Sequence, residues 1–134
     1  LRLLDMAALI PGVCFGHALG RLGCLLAGCC YGSQTDSALS IYMDGHDRHP
    51  VQIYEGLGLV VLYLITTKLM KKGMLKETLM TYLFGYSLLR FAVEFLRGDE
   101  IRGLYYGLST SQWVSLALAL FAVGFSLKLK KEVN

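Results

Sequence analysis

Four long apolar segments constrain this chain more than any other feature. They cover about residues 3–26, 53–70, 79–96 and 113–127, and they approach the length of about 17–25 residues with which a helix crosses a hydrocarbon layer. Only 17% of the residues are charged, against about 25% in soluble domains. Because backbone groups in lipid must be satisfied internally and barrel-like alternation is absent, we predict an all-α, polytopic integral membrane protein. Residues 1–134 would form a single transmembrane domain of about four helices.

Basic residues in the connecting segments predict the orientation. Most lie in the turn after the second segment and in the C-terminal tail: Lys68, Lys71, Lys72, Lys76, Lys128, Lys130 and Lys131. The other two loops hold Arg48, Arg97 and Arg102 among several acidic residues. The positive-inside rule therefore predicts that residues 71–77 and the C-terminus are cytoplasmic, and that loops 31–52 and 97–112 face outward. Polar groups from separate segments would then form one cleft near the outer leaflet.

Arg21 lies near the end of the first apolar segment. An arginine deep in a bilayer costs at least about 2.5–3.5 kcal/mol, so a partner or an anionic ligand is expected. The nearby Gly20, Gly23, Gly28 and Gly32 allow close approach and leave N–H groups free to face an anion. Snorkelling toward the headgroups is the alternative. We favour an anion site.

The third segment carries a polar stripe at helical spacing, formed by Tyr82, Tyr86, Arg90, Glu94 and Arg97. Arg90 and Glu94 can pair as i,i+4 neighbours. The stripe is either a structural ion pair or a lipid-headgroup site in which Arg90 or Arg97 meets a phosphate. We favour the second interpretation, because charge inside a membrane is usually functional.

His49 and the following Pro50 open the second segment, with Gln52 and Glu55 in its first turns. The unperturbed pKa of histidine, about 6.5, suits a general base. A histidine at a helix start is also a common surface residue, and Gln52 or Glu55 can serve the first turn of the helix.

The thiols of Cys24, Cys29 and Cys30, with His17 or His49, offer ligands for a metal ion. Their spacing is not the paired C-x-x-C of structural zinc sites, and packing as small apolar side chains between helices is the favoured alternative. A thiol nucleophile activated by Arg21 is a third interpretation. We predict no metal and no cofactor.

The motifs, taken in order, resemble a known family. They are Asp5, Gly20-Arg21-Leu22-Gly23, Tyr31-Gly32, His49-Pro50-Val51-Gln52-Ile53-Tyr54-Glu55, the Tyr86/Arg90/Glu94/Arg97 stripe and Ser109-x-x-Gln112. This order resembles the C-terminal portion of the prolipoprotein diacylglyceryl transferase family. The chain departs from the family pattern at Cys24, where Asn is usual, and at Cys29, where Glu is usual.

The resemblance implies a multi-pass enzyme of the bacterial inner membrane whose cleft faces outward. It would move a diacylglyceryl group from phosphatidylglycerol, or a related anionic phospholipid, to the lipobox cysteine thiol of a prolipoprotein, with glycerol phosphate leaving. The small net charge of +3 and the absence of nucleic-acid-binding motifs exclude a nucleic-acid partner. The alternatives are a close variant of this transfer, a non-catalytic lipid- or anion-binding membrane protein, and a thiol-based redox or metal-binding one.

The resemblance and the residues together give a predicted site. Arg21 and Arg90 would hold the phosphate, Glu94 would orient Arg90, and Tyr86 would line the lipid cleft. The predicted catalytic residues are Arg21, Arg90, Glu94 and His49. The predicted substrate-binding residues are Tyr86, Gln52, Glu55, Arg97, Cys24, Cys29, Gly23 and Gly32.

Overall fold

The computed structural model describes residues 3–97 and 104–132. Its elements in chain order are α1 (Leu3–Met6), a 3-10 turn (Ala7–Leu9), α2 (Ile10–Leu26), β1 (Ile41–Met43), β2 (His46–Arg48), α3 (Val51–Lys71), α4 (Leu75–Glu94), β3 (Leu104–Tyr105), β4 (Leu108–Ser109) and α5 (Thr110–Glu132). Of the residues used to predict orientation, Arg102 and the side chains of Lys130 and Lys131 lie outside the described residues. The same holds for residues 98–103 of the predicted outward loop.

The chain is a helical membrane protein, as predicted. Within residues 3–97 and 104–132, three helical stretches are long and apolar enough to cross a membrane: Ala7–Leu26, Val51–Lys71 and Thr110–Lys128. The fourth predicted span falls in α4, which is 20 residues long. It is not among the three because it carries four charged side chains: Lys76, Glu77, Arg90 and Glu94.

The distribution of side chains is the reverse of that in a soluble protein. Large apolar side chains cover the outer helix surfaces, among them Leu19, Leu22, Leu64, Leu120 and Phe121. Polar and charged side chains are buried between helices, among them Gln52, Glu55, Thr66, Thr78, Ser87 and Arg90. Lipid accounts for this arrangement, since apolar surface costs nothing against acyl chains while polar groups must find partners inside.

Proline and glycine mark the helix boundaries. The first apolar segment is broken into a short helix and a 3-10 turn just before Pro11, which occupies the first turn of α2, where its missing N–H is tolerated. Gly28, with φ of 66°, reverses the chain after α2, and Gly73, with φ of 73°, does so between α3 and α4. Lys68 and Lys71 in the last turn of α3 complement its dipole.

Two small hairpins lie in the loops of this helical protein. β1 pairs antiparallel with β2 around Asp44-Gly45, and β3 pairs with β4 around Tyr106-Gly107. All four of these turn residues have positive φ, the conformation that two-residue hairpin turns require. The hairpins connect α2 to α3 and α4 to α5, so both lie at the same end of the helices.

Arg97 corrects the predicted stripe on the third segment. α4 ends at Glu94, and the backbone of Arg97 forms an isolated antiparallel bridge with Gly32. The neighbouring Leu96 carbonyl accepts a hydrogen bond from the Ser33 N–H at 2.7 Å. The extended pairing takes Arg97 off the helical face shared by Tyr82, Tyr86, Arg90 and Glu94.

Neighbouring helices pack in sequence order, α2 on α3, α3 on α4 and α4 on α5. Glycines allow two of the close contacts. A Cβ atom at Gly58 of α3 would lie 2.5 Å from a methyl group of Leu89, and one at Gly85 of α4 would lie 2.5 Å from a methyl group of Leu62. Small residues at such crossings are typical of helix packing in membranes.

Candidate functional site

Glu55 of α3 joins three helices at their hairpin end. Its side chain is 2% exposed, and its Oε1 lies 3.0 Å from Nη2 of Arg21 on α2. Its Oε2 lies 3.9 Å from Nη1 of Arg90 on α4. The two arginines predicted to share one layer therefore meet the same buried carboxylate.

Arg90 has two further partners. Its Nη2 lies 2.9 Å from Oε2 of Glu94, the pairing expected from their i,i+4 spacing. The same nitrogen donates to Oγ of Ser111 on α5 at 3.1 Å. Arg90 thus links α5 to the other helices. We name Arg21, Glu55, Arg90 and Glu94 the charged cluster.

Aromatic side chains border the charged cluster on one side. The Tyr86 hydroxyl donates to Oε1 of Glu55 at 3.4 Å. The His17 ring lies 5.1 Å from the Tyr86 ring, and Tyr82 stacks on Tyr86 at 5.9 Å. His17, whose role the sequence left open, is therefore a neighbour of the cluster through Tyr86.

Two guanidinium groups and two carboxylates balance in formal charge within the cluster. Buried ion pairs of this kind contribute little net stability, but removal of one member leaves an uncompensated charge. Four buried polar atoms of the cluster and of Gln52 have no hydrogen-bond partner in the described part of the chain: Nε of Arg21 and Nη1 of Arg90, which are donors, and Oε2 of Glu94 and Oε1 of Gln52, which are acceptors. Such atoms in a native site call for an explanation, and a ligand is one.

Arg21 and Gln52 line a groove of about 250 Å³ between α2 and α3, which we name the α2–α3 groove. The other lining side chains are apolar, apart from the glycine at position 56: Phe15, Ala18, Leu19, Leu22, Leu25, Ile53, Leu57 and Val60. The groove therefore combines a long apolar wall with two residues that each have a buried polar atom without a hydrogen-bond partner.

A second groove of about 460 Å³ lies between α4 and α5, on the other side of the charged cluster. Arg90 and Tyr86 line it together with hydroxyl-bearing residues and two aliphatic ones: Thr110, Ser111, Ser115, Val114 and Leu118. This α4–α5 groove is more polar than the first one.

Gln52 also holds the loop that follows α2. Its Nε2 donates to the Cys29 carbonyl at 2.7 Å and lies 3.8 Å from the Met43 sulfur. One side chain of α3 therefore connects the loop, the first hairpin and the α2–α3 groove.

Gly32 and His49 are neighbours in the backbone. The Gly32 N–H donates to the His49 carbonyl at 3.0 Å, and a Cβ atom at position 32 would lie only 2.5 Å from that oxygen and 2.8 Å from the Leu96 carbonyl oxygen. The His49 ring places Nδ1 3.5 Å from the Tyr54 hydroxyl. Its described contacts do not join it to the charged cluster, so its role as a base stays a prediction.

Cys24, Cys29 and Cys30 come together at the end of α2, with all three Sγ atoms within 4.8 Å of one another. We name them the thiol cluster. A hydrogen bond with Cys30, followed by desolvation, raises the pKa of Cys29 above the ordinary value of a thiol. A raised pKa disfavours the thiolate and argues against Cys29 as the activated nucleophile considered above.

Gly23 lies on α2 with open space around it, since a Cβ atom there would meet nothing within 4 Å. The close approach expected from the glycines around Arg21 is therefore not made by protein at Gly20 or Gly23, and of the four it occurs at Gly32.

Sequence reasoning missed Ser111, and it gave no structural role to Ser109 and Gln112, which hold the start of α5. Ser109 and Gln112 form a reciprocal capping box: the Ser109 N–H donates to Oε1 of Gln112 at 2.9 Å, and the Gln112 N–H donates to Oγ of Ser109 at 3.3 Å. The Ser-x-x-Gln spacing was the available signal. The capping box fixes the turn that presents Ser111 to Arg90.

Comparison with known proteins assigns the family. The sequence profile of the prolipoprotein diacylglyceryl transferase family matches residues 1–128. The chain belongs to this family.

Relatives within the family carry the name phosphatidylglycerol–prolipoprotein diacylglyceryl transferase. A Clostridium perfringens member, numbered 2, is 39% identical over 87% of this chain and 49% of its own length. A Finegoldia magna member is 35% identical over 99% of this chain and 53% of its own length, and a Dehalococcoides mccartyi member is 38% identical over 97% and 52%. The chain spans about half the length of these relatives. No solved structure matches it.

Proposed function

We propose that this chain supplies the phospholipid site of a diacylglyceryl transferase in the bacterial cytoplasmic membrane. The donor would be phosphatidylglycerol and the acceptor the lipobox cysteine thiol of a prolipoprotein. The names of its relatives contain phosphatidylglycerol and prolipoprotein. The observation that carries the proposal is the apolar α2–α3 groove, which Arg21 and Gln52 line and where each of these two residues has a buried polar atom without a protein partner.

Phosphatidylglycerol carries hydrogen-bonding groups that could pair with the unpaired atoms of Arg21 and Gln52. Its phosphate oxygens can accept from Nε of Arg21, and a hydroxyl of its headgroup can donate to Oε1 of Gln52. An arginine is well suited to phosphate because its planar fork of N–H groups matches phosphate geometry. The acyl chains would lie along the side chains of Phe15, Leu19 and Leu22.

The reaction forms a thioether and releases glycerol phosphate. The acceptor sulfur attacks the glyceryl carbon that bears the phosphate ester, the C–O bond at this carbon breaks, and the phosphate carries the electron pair away. Arg21 and Arg90 would offset the negative charge that grows on the leaving group. Glu94 and Glu55 hold the two guanidinium groups in place, and His49 remains the predicted acceptor of the thiol proton.

The orientation of the helices across the membrane supports the proposal. The hairpin end carries the charged cluster, and the lysine-rich turn of residues 71–77 lies at the opposite end of α3 and α4. The positive-inside rule then directs the cluster to the outer leaflet.

The test incubates membranes containing this protein with labelled phosphatidylglycerol and a lipobox peptide, and follows the mass of the peptide. We expect a gain of one diacylglyceryl group, and a loss of rate of about 10²–10³-fold in Arg21→Ala, as for other groups that stabilise developing charge. Lys72→Ala, which removes an exposed cation at the other end of α3, is the matched control.

Two results would contradict the proposal in different ways. Unchanged transfer in both Arg21→Ala and Arg90→Ala would remove the two arginines from the mechanism. Stoichiometric binding of phosphatidylglycerol without any modified peptide would favour the lipid-binding alternative.

A further inference from the structure

The thiol cluster is a separate site from the charged cluster. Cys24 lies in the last turn of α2, and Cys29 and Cys30 lie in the loop that follows. The three sulfur atoms are within 4.8 Å of one another, all three cysteines are free, and Cys29 is exposed to solvent. No step of the proposed transfer uses this convergence.

The backbone of the loop brings the sulfurs together. Gly28 turns the chain with φ of 66°, and the Cys29 N–H then donates to the Cys24 carbonyl at 3.1 Å. Cys30 follows with φ of 60°, a left-handed conformation that is uncommon for a residue with a side chain. Residues held in such conformations concentrate at functional sites.

Contacts from other elements fix this loop. Gln52 of α3 donates to the Cys29 carbonyl at 2.7 Å. Arg48 of β2 stacks over the Tyr31 ring at 4.3 Å and donates to the Gly32 carbonyl at 3.3 Å. The Arg48 guanidinium, which also pairs with Asp44 at 3.4 Å, therefore holds the two residues that follow Cys30.

Three sulfur ligands select a particular class of metal ion. Thiolates bind soft ions with filled d shells, above all Cu(I) and Zn²⁺. Within residues 3–97 and 104–132, no imidazole or carboxylate joins this group of three. Structural zinc sites are almost always completed by a fourth protein ligand, so three sulfurs alone favour Cu(I).

We propose that Cys24, Cys29 and Cys30 bind one soft d¹⁰ metal ion through three thiolates, with Cu(I) preferred over Zn²⁺. The ion replaces the three thiol protons, which are released to solvent on binding. No sulfur is oxidised in this step, and the site uses no side chain of the charged cluster.

The test titrates the detergent-solubilised, fully reduced protein with Cu(I) under anaerobic conditions, in competition with a chromogenic Cu(I) chelator. A parallel arm uses Zn²⁺ with a zinc indicator. We expect one Cu(I) per chain, with a coordination shell of sulfur by X-ray absorption. Each of Cys24→Ser, Cys29→Ser and Cys30→Ser should weaken binding by more than the about 10–100-fold that loss of an outer-sphere partner costs.

Cys14→Ala is the matched control, because Cys14 belongs to the same helix but is buried against Thr66. Binding should survive in this variant. Tighter binding of Zn²⁺ by the same three thiols would keep the site and reverse the metal preference. Binding that persists in the triple serine variant, or a disulfide found within the cluster in the protein isolated without oxidant, would overturn the proposal.

Discussion

The two arginines of the charged cluster meet the same carboxylate in different surroundings. Arg21 has one ion pair, with Glu55 at 3.0 Å, and lines an apolar groove, while its Nε is buried without a hydrogen-bond partner. Arg90 is held by Glu94 at 2.9 Å, by Ser111 at 3.1 Å and by Glu55 at 3.9 Å, beside a groove lined with hydroxyls.

The different surroundings indicate different tasks for Arg21 and Arg90. A guanidinium with several fixed partners is already ordered and holds helices together, while one with a single ion pair beside an apolar groove is better placed to meet a ligand. Arg90 also has a nitrogen without a hydrogen-bond partner, Nη1, but this nitrogen lies 3.9 Å from Oε2 of Glu55. We infer that Arg90 mainly maintains the geometry of the cluster and that Arg21 is the main phosphate contact. Both residues offset charge in the proposed transfer, but their substitution should fail in different ways.

Glu55→Gln should have the largest effect, since it removes the carboxylate shared by both arginines. An uncompensated buried charge costs about 3–5 kcal/mol, so we expect a loss of that order in the free energy of unfolding, measured by denaturation in detergent micelles. Glu77→Gln, at an exposed position in the first turn of α4, is the control and should change stability by about 0.3–1 kcal/mol. Equal effects in the two variants would mean that the cluster is hydrated and weakly coupled.

The arginines themselves test the comparison directly. Arg90→Met leaves Glu55 and Glu94 with one guanidinium between them and releases Ser111, whereas Arg21→Met leaves Glu55 paired with Arg90. We expect Arg90→Met to fall at the upper end of about 3–5 kcal/mol and Arg21→Met below it. Binding of phosphatidylglycerol should show the opposite order, with the larger loss in Arg21→Met. The same order in both measurements would contradict the division of tasks.

The sequence predicted the helices and the common layer of Arg21, Glu55 and Arg90, because apolar segments of membrane length joined by short loops must run antiparallel. It also predicted the Arg90–Glu94 pair, which lies within one helix. The hairpin around Asp44-Gly45 was missed although its turn signal was present.

Other features depend on contacts between elements that no local pattern contains. A serine that accepts from an arginine of another helix, as Ser111 does, resembles any other serine in the sequence. The departure of Arg97 from α4 depends on its pairing with Gly32, which is distant in the chain. The convergence of three sulfurs depends on left-handed conformations at Gly28 and Cys30.

Ser111→Ala tests how much the hydrogen bond that Arg90 donates to Ser111 contributes to stability. Loss of a hydrogen bond to a charged group costs about 1.5–3 kcal/mol, so we expect a loss of that order in the free energy of unfolding. Ser115→Ala, one turn along α5, is the control because its hydroxyl donates to the Ser111 carbonyl within the same helix. No difference between the two variants would show that Arg90 does not depend on α5.

Gly56→Ala should have the smallest effect on stability and still reduce lipid binding. A Cβ atom at this position would lie 3.8 Å from Cβ of Arg21, an ordinary contact, so the protein tolerates it and the helix gains up to about 1 kcal/mol from the exchange of glycine for alanine. The new methyl group narrows the α2–α3 groove beside Arg21, and phosphatidylglycerol should therefore bind more weakly to a protein that is at least as stable. Gly20→Ala, on α2 with nothing within 4 Å of the added atom, should gain stability without this loss of binding. If lipid binding were unchanged in Gly56→Ala, the phospholipid would lie in the α4–α5 groove instead, and Arg90 would be its first contact.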